Sequence, residues 1–143
     1  MKELILLKSG EVVLKGLNRH NFEDVMIKNM KRRIEDLGAF RIWKKQSTLY
    51  VEPQSEDIDM DLLVSRLQTV FGIAALTRAC IVEKNFEDIC AKSREYLAET
   101  LEEARTFKVE AKRADKLFPM TSPEICRELG GQLLEEFPHL RVD

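Results

Sequence analysis

The sequence predicts an α+β protein built from two units, and three observations carry that prediction. Short period-2 apolar runs alternate with longer runs of helical period in the order βαββαβ over residues 1–84. A second set of segments begins near Asn85, with two helices and one clear strand. Charge is also divided. Residues 1–50 carry 11 basic and 6 acidic side chains, and residues 51–143 carry 12 and 19, so the formal net charge of −2 combines a basic N-terminal part with an acidic remainder.

Leu4–Lys8 reads as a first strand, buried on both sides. Gly10-Glu11-Val12-Val13-Leu14-Lys15-Gly16-Leu17-Asn18-Arg19 follows, bracketed by two glycines, and reads as a shaped loop. Its Lys15 and Arg19 stand just ahead of a helix N-terminus, where backbone N–H groups also favour an anion. Asn21 is the expected N-cap. Phe22, Val25, Met26, Met30, Ile34 and Leu37 recur at helical spacing as an inward face, and Gly38 stops the helix. Arg41–Lys45 and Thr48–Glu52 read as strands joined by a tight turn at Gln46-Ser47. Trp43 and Tyr50 sit on them as half-buried sheet residues that could also stack on bases. Leu62, Leu63, Leu67 and Val70 mark a second helix ended by Gly72, and Ile73–Val82 reads as a fourth strand. This order is that of the ferredoxin-like split βαβ fold, which serves many functions and proves none.

In the second unit, Phe86, Ile89, Cys90, Ser93, Leu97 and Leu101 define one amphipathic helix ending near Arg105. Its outer face is acidic, with Glu87, Asp88, Glu95, Glu99, Glu102 and Glu103, and should avoid phosphates. Phe107, Val109 and Ala111 then alternate with Lys108, Glu110 and Lys112 as a half-buried strand, expected to run to Arg113 as a central strand of its sheet. Lys112, Arg113 and Lys116 gather where that strand runs into a loop closed by Phe118-Pro119. Lysine offers a mobile point charge and arginine a planar fork for phosphate, so this segment is the candidate anion-binding element. Thr121-Ser122-Pro123-Glu124 starts a further helix, either with Thr121 and Glu124 as a capping box or with Ser122 as cap and Pro123 at the first helical position. Ile125, Cys126, Leu129, Leu133 and Phe137 face inward. Gly130-Gly131 inside that helix costs roughly 1 kcal/mol per glycine relative to alanine, which close packing of a backbone or a ligand would explain. Leu140–Asp143 looks like the opening of another strand.

With 44% hydrophobic and 34% charged residues the chain can bury a core. No apolar run approaches the ~20 residues of a membrane-spanning helix, so no membrane partner is expected. The N-terminal apolar run is too short for a signal peptide, which points to the cytoplasm. Cys80, Cys90 and Cys126 are three, widely spaced and set among apolar neighbours, so they read as buried thiols rather than as a zinc or redox pair. Neither His20 nor His139 has a catalytic neighbour in sequence, and no nucleotide or metal motif occurs. No catalytic or metal-binding residue is therefore assigned, and the chain alone is not expected to be an enzyme.

Gly10-Glu11-Val12-Val13-Leu14-Lys15-Gly16-Leu17-Asn18-Arg19 with Phe22 resembles the N-terminal signature of bacterial tRNA 4-thiouridine synthetases, the tRNA sulfurtransferases also implicated in thiamine biosynthesis. Phe107-Lys108-Val109, Lys112-Arg113, Lys116, Phe118-Pro119-Met120 and Glu128-Leu129-Gly130-Gly131 resemble the THUMP domain of the same family. The resemblance implies an N-terminal ferredoxin-like domain over 1–84 and a truncated α/β THUMP domain over 85–143 whose C-terminal strands are missing. It implies tRNA, gripped near its acceptor stem, as the partner, with Lys112, Arg113, Lys116, Lys15, Arg19 and Lys108 as the contacting cations. In that family a further domain adenylates a uridine with ATP and magnesium, and a persulfide donor such as a cysteine desulfurase supplies sulfur for 4-thiouridine or for the thiamine thiazole. This chain has no S-G-G-x-D-S phosphate loop, so it carries no cofactor of its own on this reading. An open edge beside the 107–113 strand would pair with a second copy, giving a homodimer, or leave residues beyond Pro138 poorly ordered. The competing function is a ferredoxin-like regulatory or protein-interaction module without RNA binding, which leaves Lys112, Arg113 and Lys116 without a role.

Overall fold

The computed structural model describes residues 1–10 and 19–143, except for the side chains of residues 19–21. The chain divides into two compact units, Met1–Ile81 and Val82–Asp143.

The first unit contains β1 (Glu3–Ser9), α1 (Arg19–Ile34), β2 (Phe40–Lys45), β3 (Thr48–Pro53), α2 (Met60–Gln68) and β4 (Ile73–Cys80). The four strands form one antiparallel sheet in the order β2-β3-β1-β4, the split βαβ arrangement expected from the sequence. Strand alternation sorts the side chains. Ile5, Leu7, Leu49 and Val51 are buried against α1 and α2, which contribute Met26, Met30, Ile34, Leu63 and Leu67 to the same core. Met26, Met30 and Ile34 follow a strict four-residue spacing, whereas Val25, read from the sequence as inward, is off that stripe and 56% exposed. Leu62 is likewise exposed beside buried Leu63. Helix α1 already includes Asn21, so that residue lies in the first turn and is not the cap. Among the described residues of α1, Glu23 is the one charged side chain that the fold buries, and Lys44 Nζ donates to its carboxylate.

Local chemistry fixes the connections. The β2–β3 turn places Gln46 at φ 57°, the left-handed conformation that two-residue hairpins require. Gly72 has φ 98°, and a Cβ there would lie 2.9 Å from the Phe22 ring, so both backbone and packing demand glycine. The Gly72 carbonyl accepts from Gly10 N at 2.9 Å, tying the start of β4 to the end of β1.

The second unit contains α3 (Phe86–Tyr96), α4 (Ala98–Glu103), β5 (Thr106–Phe107), α5 (Ser122–Glu136) and β6 (Arg141–Val142). Asn85 caps α3, its side chain accepting from Asp88 N at 2.7 Å. The single helix expected up to Arg105 is instead two, separated at Leu97 with φ −98° and ψ 6°. Hydrogen bonds from Leu97 N to Ser93 O and from Leu101 N to Leu97 O persist across the break, so the cause is a dihedral change at one residue in the bridge region. Asp88 belongs less to the exposed acidic face than its neighbours, because it accepts from Glu83 N and Lys92 Nζ. Helix α5 is capped by Thr121, which accepts from Glu124 N and donates its hydroxyl to the Glu124 carboxylate at 3.0 Å, so Thr121 rather than Ser122 is the cap.

Strand β5 is much shorter than the Phe107–Arg113 strand read from the sequence. It pairs in parallel with β6 through Thr106 and Phe107, and Asp143 N donates to Phe107 O at 2.8 Å. From Lys108 the chain stays extended without ladder partners among the described residues, yet the period-2 burial continues. Burial follows the side chains packed beneath: Phe107 and Val109 lie on the core formed by Cys90, Leu101, Leu129, Leu133, Phe137 and Leu140. Of the three cysteines only Cys90 is fully buried. Cys80 and Cys126 are half-buried, against the expectation of three interior thiols. Burial pushes the Cys90 thiol above its ordinary value.

Candidate nucleic-acid interface

The extended segment 107–113 and the loop to Met120 hold four of the cations named from the sequence. Alternation decides the fate of each. Phe107, Val109, Ala111 and Arg113 turn toward the body of the second unit, and Lys108, Glu110 and Lys112 turn outward. Lys112 and Lys116 are exposed, and among the described residues neither is held in an ion pair. Lys108 is exposed too, but its ammonium lies 3.7 Å from the Glu110 carboxylate two positions on.

Arg113 has a different task from the one its residue type suggested. Its Nη1 donates to the carbonyls of Phe118 at 3.3 Å and Met120 at 3.2 Å, closing the loop back on the segment that precedes it. The fork expected to grip phosphate therefore braces the loop that carries Lys116. Phe118 is buried beneath that brace.

Asp115 completes the loop, and its role was not legible as a site feature. Its side chain accepts from Leu117 N at 2.9 Å, an Asx turn, and its own carbonyl accepts from Phe118 N at 3.2 Å. Lys84 Nζ donates to the other carboxylate oxygen at 3.0 Å. The Leu117 N–H first, and then Lys84, hold the Asp115 carboxyl below its ordinary range. The one acid inside the basic loop is thus paired within the fold, which leaves the outward potential to Lys112 and Lys116. The signal in the sequence was Asp two positions before a residue whose N–H it could satisfy. Leu117 stands at the loop tip, 91% exposed.

The remaining two candidates belong to the first unit. Lys15 lies outside the described residues. Arg19 is the first residue of α1, at the helix end where an anion is favoured, and its side chain is not among those described. The Gly130-Gly131 pair is not explained by tight packing. A Cβ on Gly130 would meet Val109 Cγ2 at 3.8 Å, an ordinary contact, and one on Gly131 would meet nothing within 4 Å.

A ferredoxin-like domain joined to an α/β module with a braced, lysine-bearing loop defines the class of protein. The family model of the ThiI ferredoxin-like domain matches residues 4–77, and that of the THUMP domain matches residues 83–143. The chain belongs to the ThiI family. It is 45% identical over its whole length to a probable tRNA sulfurtransferase of Acetivibrio thermocellus, of which it spans 37%. A solved 4-thiouridine synthetase in complex with RNA and bound ATP superposes with a TM-score of 0.81 at 30% identity, covering all of this chain and 36% of that one. A solved protein of Pyrococcus horikoshii Ot3 superposes with a TM-score of 0.76 at 25% identity, covering all of this chain and 47% of that one. Among the described residues no helix is long and apolar enough to cross a membrane.

Proposed function

We propose that this chain is the tRNA-binding portion of a tRNA sulfurtransferase that makes 4-thiouridine. The observation that carries the reading is the likeness of the entire chain to the corresponding part of a 4-thiouridine synthetase bound to RNA. The arrangement of the basic loop supports it, since two exposed lysines are held on a braced scaffold whose acid is already paired. In this reading Lys112 and Lys116 contact phosphates, Lys108, Lys15 and Arg19 add to the field, and Arg113 positions the loop from behind. The tRNA is held near its acceptor stem, where A-form geometry favours readout of backbone and shape over base edges.

The chemistry belongs to the rest of the protein, given that the chain spans only 37% of its relative's length. There ATP and magnesium activate the uridine, and a persulfide donor such as a cysteine desulfurase delivers sulfur, with supply to the thiamine thiazole as a second outlet. The protein works in the cytoplasm, as a homodimer in this reading. In this reading the boundary between the ferredoxin-like and THUMP domains falls near residue 84, within a few residues of the division of the compact units after Ile81.

A salt-titrated tRNA binding assay tests the proposal. Lys112→Ala with Lys116→Ala should weaken binding and lower the slope of log K against log salt by roughly 0.7–0.9 for each phosphate no longer neutralised. An unchanged slope in the double variant rejects the assignment of these lysines. Salt-independent tRNA binding, or none, favours the regulatory-module alternative. Light scattering over a concentration series tests the homodimer.

A further inference from the structure

Both helices of the first unit pack on one face of its sheet, and the opposite face is a different kind of surface. The register places Trp43, Tyr50 and Leu6 in one row across β2, β3 and β1. Trp43 and Tyr50 are stacked, with ring centroids 5.1 Å apart and planes 4° from parallel. The Arg41 guanidinium lies over the indole, 4.5 Å from its centroid. The next row carries Lys45 and Lys8, both exposed, at the ends of a register that runs through Thr48. Glu52 is the acid on this face beside Arg41, so three cations stand against one carboxylate across these rows.

We infer that this open sheet face is a second nucleic-acid contact surface, taking an unpaired nucleobase of single-stranded RNA onto the Arg41–Trp43–Tyr50 column. A column of planar groups is extended by another planar group, on the guanidinium or in its place on the indole. Lys8 and Lys45 lie one register row away, and they supply the charge that a neighbouring phosphate needs. A buried structural role would place aliphatic partners over the rings, whereas here a cation covers the indole and exposed lysines flank it. The choice of RNA as occupant rests on the function proposed above, but these residues belong to the first unit, whereas Lys112 and Lys116 belong to the second, and they contribute a base contact that those lysines do not.

Trp43 is the sole tryptophan of the chain, so its fluorescence reports on this face alone. The test titrates the whole chain with a single-stranded oligoadenylate of about eight nucleotides, following Trp43 emission and the anisotropy of a labelled oligoadenylate together. Quenching that tracks the anisotropy and weakens with salt is the expected result. Trp43→Ala should lower affinity at least about fivefold, and Trp43→Phe should retain most of it. Lys8→Ala with Lys45→Ala, exposed changes that leave the core intact, should reduce the salt slope by roughly 0.7 for each lysine that meets a phosphate. Binding seen by anisotropy with Trp43 emission unmoved overturns the inference and leaves the role of Lys112 and Lys116 standing. Equal quenching by an RNA duplex overturns the unpaired-base assignment. Emission that shifts with protein concentration and not with RNA overturns it in favour of a second copy seated on the face. Absence of binding to both oligoadenylate and tRNA overturns the inference and the proposed function together.

Discussion

Lys112 and Arg113 are neighbours in sequence and turn to opposite sides of the extended segment. Composition alone assigns both to phosphate, while alternation gives the lysine to solvent and the arginine to the loop. The consequence is measurable. Arg113→Ala should destabilise the second unit by about 1 kcal/mol in urea unfolding, because two loop carbonyls lose their donor. Lys112→Ala should leave the urea midpoint within experimental scatter while weakening tRNA binding. Asp115 adds a pH signature. Its folded pKa lies below the ordinary 3.8, so its contribution is complete above that value and is lost as pH falls through the lower folded value. Wild type and Asp115→Asn should therefore differ in urea midpoint at neutral pH and converge in the acid range below 3.8. A difference that persists unchanged to the acid limit would show that the carboxylate charge is not what holds the loop.

At the scale of elements, the helix starts of the second unit were readable and its ladder was not. Asn85 and Thr121 mark their helix starts through side-chain oxygens that accept an N–H three residues on, a purely local rule. Strand length depends on a partner. The 107–113 segment has the right alternation, but β6 offers partners to Thr106 and Phe107 only. Helix α5 provides a test of the glycine pair. Gly131 faces open space, so Gly131→Ala should raise stability by roughly 0.5–1 kcal/mol in a thermal or urea melt. If that variant is stable but impaired in tRNA binding, the space above Gly131 is occupied in the complex.

At the scale of the whole molecule, each unit has its own core, Ile5, Leu7, Met30, Val51 and Leu67 among the residues of the first, Cys90, Leu129, Leu133 and Phe137 among those of the second. A four-stranded sheet with two helices on one face buries enough apolar surface to fold by itself. A fragment of residues 1–81 should therefore melt cooperatively by circular dichroism with a helix and strand content matching that unit. A non-cooperative melt would mean that the first unit depends on the second.

The sequence by itself determined the order βαββαβ, the Thr121 helix start and most core positions, with Asn21, Val25 and Leu62 as exceptions, because these follow from local periodicity and from hydrogen bonds within a few residues. It also carried the family, through motifs whose residues stand close together along the chain. Tertiary structure alone decided which cation braces and which faces solvent, that Asp115 is paired to Lys84 from 31 positions away, and that Trp43 stacks on Tyr50 across two strands. Those outcomes depend on which groups the fold brings within a few ångströms of each other, and residue type does not encode that.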